Sequence, residues 1–190
     1  MSDNVERILA AIAALSEEER ARLFERLAGE GRFPPAPQPA SQTALPLQFA
    51  DGELEGPADY TLVFDGGSQG NPGPGYGSYA LARAREGKQS VVRLDFGRPM
   101  TNNEAEYEAL IAGLQGLIER IEATGRSPED FTVEVRGDSA LVIHQVEGTW
   151  KTRDDRMRLL RNRVRELLTR FEHHRLVFQE RAESVRILKH

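Results

Sequence analysis

Apolar and polar positions alternate along five stretches of this chain and recur at helical spacing in six others. Val5, Ile8, Leu9, Ile12 and Leu15 form one helical stripe, and Leu23, Phe24 and Leu27 form a second. Between them Ser16-Glu17-Glu18-Glu19 has the spacing of a capping box. From Asp59 onward the pattern changes. "DYTLVFD", "YGSYALARA" and "SVVRLDFGR" read as three strands in an antiparallel meander. Thr101-Asn102-Asn103-Glu104 opens a helix whose buried stripe runs through Leu110, Leu114, Leu117 and Ile121. "FTVEVRGD" is a fourth strand with Phe131, Val133 and Val135 on one side, and "SALVIHQVEG" is a short helix. Thr152-x-x-Asp155 predicts the cap of a longer helix carrying Met157, Leu160, Val164, Leu167 and Phe171. "RLVFQE" is a fifth strand, and "SVRILKH" makes barely two helical turns. The order βββαβααβα predicts an α/β fold, with helices crossing between strands of a mixed sheet.

These patterns divide the chain into a helical hairpin over 1–30, a Pro/Ala-rich linker over 31–58 and one α/β domain over 59–190. The hairpin has too little apolar surface to stand alone, so it is expected to pack in self-association, on the main domain or on a protein partner. Net charge is −5, which argues against a nucleic-acid binder until its distribution is considered. Residues 1–57 hold 5 basic and 10 acidic residues, whereas residues 149–190 hold 12 basic and 6 acidic. The last quarter is therefore positive. The absence of cysteine excludes disulfides and thiolate metal sites. No apolar run is long enough to span a membrane, and the acidic start carries no basic leader, so the cytoplasm is the expected location.

Three carboxylates do not belong to the fold pattern. Asp65 stands at the end of an apolar strand, and six of the next twelve residues are Gly and two are Pro. A buried strand gains nothing from a carboxylate there unless a partner neutralises it; an Asx-type turn cap is the plain alternative. Glu106 lies one turn ahead of Leu110 on the buried stripe, with helix-dipole stabilisation as its alternative. Glu104 and Glu108 lie on another face, where solvation accounts for them, and Glu104 also completes a capping box with Thr101. Asp138 follows the fourth strand and opens a helix, so N-capping would explain it too. Sites in open α/β sheets form outside the carboxyl ends of strands, where these acids could converge. Clustered carboxylates repel unless cations lie between them, and hard oxygen ligands suit Mg²⁺ or Mn²⁺.

"FDGGSQGNPGPGYG", "TNNEAEYEAL" and "VRGDSALVIHQVEGTWKTRD" together resemble the type 1 ribonuclease H family in sequence, spacing and order, over roughly residues 59–188. The resemblance implies a ribonuclease H-like five-stranded mixed sheet, two divalent ions, and hydrolysis of the RNA strand of RNA/DNA hybrids. It also implies that Asp65, Glu106 and Asp138 are the family's first three metal-binding acids. By the same resemblance Gly66, Gly67, Ser68, Asn71, Asn102, Asn103, Ser139, Trp150 and Lys151 are substrate contacts. Asn71, Asn102 and Asn103 would meet the minor groove and its 2′-hydroxyls. For Asn102 and Asn103 the alternative is helix capping, and for Trp150 it is ordinary core.

The family's fourth acid lies in a pattern like V-P-R-x-x-N-x-x-A-D. Aligning Arg181 with the motif's Arg puts Ser184 at the Asn, Ile187 at the Ala and Leu188 at the acid. Two functions follow. One is a ribonuclease H with reduced turnover; the other is a weakly active or inactive binder of hybrid or double-stranded RNA on the same fold. Arg156, Arg163 and Arg170 form a stripe that reads as a phosphate-binding face or as a solvated, ion-paired one. His144 is expected on a solvated helix face, and His173 and His174 at a helix C-terminus.

Overall fold

The computed structural model describes residues 56–86 and 89–189, all within the later of two units that meet between Leu47 and Gln48. The predicted hairpin over 1–30 and nearly all of the predicted linker over 31–58 lie outside the described residues. Five strands are present: β1 (Tyr60–Ser68), β2 (Gly73–Arg83), β3 (Gln89–Met100), β4 (Thr132–Gly137) and β5 (His173–Phe178). The helices are α1 (Asn102–Glu122), α2 (Ala140–Glu147), α3 (Asp155–Leu168) and α4 (Arg181–Leu188). The sheet order is β3-β2-β1-β4-β5. The β1/β2 and β2/β3 pairs are antiparallel, and β1/β4 and β4/β5 are parallel. This is the expected five-stranded mixed sheet.

The two sheet faces are covered unequally. Leu62, Phe64, Val133 and Val135 point to one face and pack with Leu110, Leu114 and Leu117 of α1, Val142 and Ile143 of α2, and Val164 and Leu168 of α3. On the other face α4 is the only described helix, and it lays Leu188 against Val63 and Ala80. The last carbonyls of α4 lack intrahelical donors. Strand β3 supplies them: Gln89 Nε2 donates to the Ile187 carbonyl at 2.8 Å, and Arg93 donates to that of Lys189 at 2.8 Å.

Several expectations are corrected. β1 does not stop at Asp65 but runs three residues further, because β2 keeps pairing with it to Ser68↔Gly75. The cap of α3 is Asp154 rather than Thr152: its Oδ1 accepts from the Arg156 and Met157 N–H groups at 2.9 and 3.0 Å. Thr152 instead accepts from Arg161 at 3.4 Å. His173 and His174 belong to β5, because α3 already ends at Leu168. Helix α4 begins three residues before the predicted Ser184, with Glu180 as its N-cap. Glu104 is not on a solvated face. It is buried, accepting from the Thr101 N–H (2.7 Å) and Oγ (2.9 Å) in the expected capping box and lying 3.3 Å from Arg156.

Candidate active site

The register of the sheet brings two of the three acids together. The parallel β1/β4 ladder ends at Phe64↔Gly137. Asp65 is the next residue of β1 and Asp138 the first residue past β4, and neighbouring strands lie about 4.8 Å apart. Asp65 still pairs on its other side, opposite Ser78 of β2. It is thus held rigidly along one edge while the edge toward β4 opens just where β4 stops. An Asx-turn cap does not describe a residue inside a paired strand.

Glu106 arrives from the helical layer, and Gly66 lets it come close. A Cβ on Gly66 would lie 2.5 Å from the Glu106 nitrogen and closer still to the Ala105 carbonyl. Only glycine lets β1 touch the backbone of α1 at this level. Glu106 sits in the second turn of α1, beyond the first-turn position where the helix dipole acts most strongly. Its Oε2 accepts from Ser139 Oγ at 2.5 Å. Burial is the main force that pushes the Glu106 carboxyl up to about 7, with the Asp138 and Asp65 charges adding to it and the Ser139 bond opposing. Each of the other two acids is therefore near enough to Glu106 to raise its proton affinity.

Asp138 is not a helix cap. Ser139 caps α2, its Oγ accepting from the Val142 N–H at 3.3 Å. The Asp138 carboxylate instead lies 3.6 Å from a guanidinium nitrogen of Arg181, the first residue of α4. Sequence reasoning used Arg181 only to align the last helix. Its pairing with Asp138 depends on where α4 starts, and no local pattern announces that. With Glu106 turned to Ser139 and Asp138 to Arg181, no three acidic or histidine side chains among the described residues form a ready-made cation cage. The donors that converge are nonetheless all hard oxygens of like charge, and this chemistry fits a divalent cation.

The remaining candidates fall into two groups. At the glycine-rich end, Asn102 Oδ1 accepts from the Ser68 N–H at 2.9 Å and from Ser68 Oγ at 2.8 Å. Asn71 Oδ1 accepts from the Asn102 N–H at 3.3 Å. Thr101 is the cap of α1, so capping does not account for Asn102 or Asn103. With both carboxamide oxygens engaged by the protein, the exposed residues Asn71 and Asn102 retain NH₂ groups that can donate. Gly67 packs under Tyr76, whose hydroxyl would lie 2.7 Å from an added Cβ.

The second group follows α2. Trp150 is 49% exposed and stacks on His144 with centroids 4.9 Å apart, so it is not core. Lys151 beside it is exposed. Several arginines of α3 and of the turn after it are ion-paired: Arg156 with Glu104, Arg158 with Asp155, Arg163 with Glu166 and, beyond the helix end, Arg170 with Glu122. That agrees with a solvated, paired face.

Leu188 is 0% exposed, and it packs on Val63. Val63 and Asp65 share a face of β1, two residues or about 7 Å apart. The aligned place of the fourth acid is thus filled by a side chain that seals α4 onto the sheet. Leu188→Asp is expected to lose on the order of 4 kcal/mol of stability, since it desolvates a carboxylate among Val63 and Ala80. Urea unfolding of the variant measures this directly.

A family model described as reverse transcriptase-like matches residues 63–186. Ribonuclease HI of Halobacterium salinarum is 41% identical over 126 residues, which cover 65% of this chain and 57% of that protein. The chain therefore spans little more than half the length of this relative. The crystal structure of RNase H1 from the same archaeon superposes with a TM-score of 0.55 at 36% identity, covering 67% of this chain and 90% of that one. LC11-RNase H1, isolated from compost and crystallised in complex with an RNA/DNA hybrid, gives a TM-score of 0.57 at 26% identity, covering 68% and 91%. With the match spanning the sheet and all three acid-bearing segments, the chain belongs to the type 1 ribonuclease H family.

Proposed function

We propose that the domain hydrolyses the RNA strand of RNA/DNA hybrids with the help of divalent cations, Mg²⁺ or Mn²⁺. The observation that carries this reading is the convergence of Asp65 and Asp138 at the end of one parallel ladder, with Glu106 electrostatically coupled to both. The fold it shares with a hybrid-bound relative supports the substrate class. Asp65, Glu106 and Asp138 would hold the ions. When bound, such ions supply Lewis-acid stabilisation of the phosphate and activation of water.

The chain's own residues do the rest. Ser139 orients the Glu106 carboxylate. Arg181 neutralises Asp138 in the metal-free protein and, being exposed, lies within reach of a phosphate beside it. The NH₂ groups of the exposed Asn71 and Asn102 suit the 2′-hydroxyls and acceptor edges of a hybrid's minor groove. Gly66 lets β1 lie against the backbone of α1, and Gly67 leaves room for Tyr76, so both shape the floor of that approach. Trp150 and Lys151 would meet the sugar-phosphate backbone farther along the duplex, and the contact to phosphate would make binding salt-dependent.

The raised Glu106 carboxyl gives a pH signature. A carboxyl that holds its proton more tightly in the folded state stabilises the fold below its unfolded value of 4.5. That contribution is lost as pH rises toward about 7, the folded value. The metal-free protein should therefore melt at lower temperature at pH 7.5 than at pH 5. The Glu106→Gln variant should show a smaller difference, and saturating Mg²⁺ should raise the pH 7.5 melting point of the unsubstituted protein but not of the variant.

Incubation of a labelled hybrid with Mg²⁺ or Mn²⁺ tests the function, with cleavage confined to the RNA strand as the expected result. A second reading, hybrid binding without turnover, is favoured by Leu188 alone, because an apolar side chain fills the fourth acid's aligned place. Binding of the intact hybrid with no product in either metal would select it.

A further inference from the structure

Tyr107, next to Glu106, is fully buried, and the nuclease chemistry described above leaves it without a task. Adjacent residues of a helix point about 100° apart, so while Glu106 turns to the end of β4, Tyr107 turns into the space between α1, α2 and α3. Its hydroxyl donates to Gln145 Oε1 at 2.9 Å, and Gln145 is itself buried. The amide nitrogen of Gln145 then donates to the Lys151 carbonyl at 3.5 Å. A buried polar chain of this kind is costly to leave half-made.

The far end of this chain is the turn that carries Trp150 and Lys151. The turn has other tethers: the Trp150 N–H and Thr149 Oγ each donate to the His144 carbonyl at 3.1 Å, the Trp150 ring packs on His144, and Arg161 of α3 donates to Thr152 Oγ at 3.4 Å. Those tethers fix the turn to α2 and α3. The Tyr107–Gln145–Lys151 chain adds a hydrogen-bonded link, by way of Gln145 on α2, from the turn to α1, the helix bearing Glu106. Through Tyr107, the element holding a proposed cleavage acid and the element holding the proposed backbone contacts share one buried ruler.

We propose that Tyr107 and Gln145 are positioning residues that set the Trp150–Lys151 turn at a fixed distance from Glu106, so that a duplex gripped at the turn presents its phosphate at the acids. This inference rests on the hybrid-binding reading for its purpose but not for its geometry. Trp150 is the sole tryptophan of the sequence, so its fluorescence reports on the turn in the free protein.

Tyr107→Phe removes one hydroxyl from a site that keeps its ring. In the full chain this variant should unfold cooperatively as the unsubstituted protein does, while Trp150 becomes more open to acrylamide quenching. Hybrid KM should rise about fivefold, the factor carried by one net hydrogen bond, with kcat changed less than about twofold. Gln145→Met, which cuts the chain at its middle link, should reproduce both effects, and the double variant should add little to either. Unchanged quenching in both variants would overturn the proposal, as would a fall in kcat with KM unchanged. If the unsubstituted protein binds no hybrid, the functional reading fails by itself, and the quenching of Trp150 still decides the ruler. Should Tyr107→Phe not fold, Gln145→Met carries the same readouts.

Discussion

Asp65→Asn is expected to lower hybrid cleavage by at least about a thousandfold while leaving the fold intact or slightly firmer. Asp65 is buried, inside a paired strand, and placed beside Asp138 by the register Phe64↔Gly137. Asparagine keeps its shape and removes the negative charge. Loss of an outer hydrogen-bond partner at a metal site costs 10–100-fold, so loss of a central carboxylate donor costs more. The effect on stability has the opposite sign. In the metal-free protein Asp65 is one of two charges that push the Glu106 carboxyl up, so removing it relieves repulsion. A variant that melts no lower than the parent yet yields no product separates loss of chemistry from loss of structure. Steady-state cleavage and a thermal melt on the same preparation measure both. Retention of more than a tenth of the activity would remove Asp65 from the centre of the mechanism.

Gly66→Ala carries the second large effect, and it acts on both stability and rate. The added methyl meets the Ala105 carbonyl and the Glu106 nitrogen, which are backbone atoms on a capped helix and cannot swing aside. Either β1 or the start of α1 must shift. Overpacking of this kind costs roughly 1–3 kcal/mol. The displaced element carries Asp65 or Glu106, and a misplacement of about 1 Å in a catalytic constellation costs on the order of a hundredfold in rate. Gly97→Ala is the matching control. Gly97 has φ of 63° and nothing within 4 Å of an added Cβ, so alanine there brings backbone strain of about 1 kcal/mol without touching the acids. Urea unfolding and initial cleavage rates of the two variants should agree in direction for stability and diverge by about a hundredfold in rate.

The elements that carry the candidate site were legible in the sequence where local rules suffice. Alternation placed Asp65 and Asp138 at the carboxyl ends of strands, and helical spacing set Glu106 apart from Glu104 and Glu108. The fold order followed from the same periods. What sequence could not supply was pairing between distant segments. The one-residue match of Asp65 with Asp138 is a property of the parallel register between strands some seventy residues apart, and no local pattern encodes it. The burial of Glu104 was hidden for a similar reason: its helical position looked solvated, but Arg156 of α3 covers it. The misplaced cap of α3 arose from competition between two oxygens two residues apart, and Asp154 prevails by taking two N–H groups at once. Leu188 was read as a missing acid. Its second role, sealing α4 onto Val63 and Ala80, needed the sheet face that α4 covers. Tyr107 and Gln145 gave no signal beyond their helical positions, because their link crosses between two helices.

The central claim is that Asp65, Glu106 and Asp138 close on divalent ions at the end of β4. Crystals of the full chain soaked in Mn²⁺ test it most directly through anomalous scattering. The account predicts Mn²⁺ coordinated by the Asp65 carboxylate, with Glu106 and Asp138 in the same coordination shell and Arg181 moved off Asp138. Manganese peaks elsewhere, with Glu106 still on Ser139 and Asp138 still on Arg181, would contradict it.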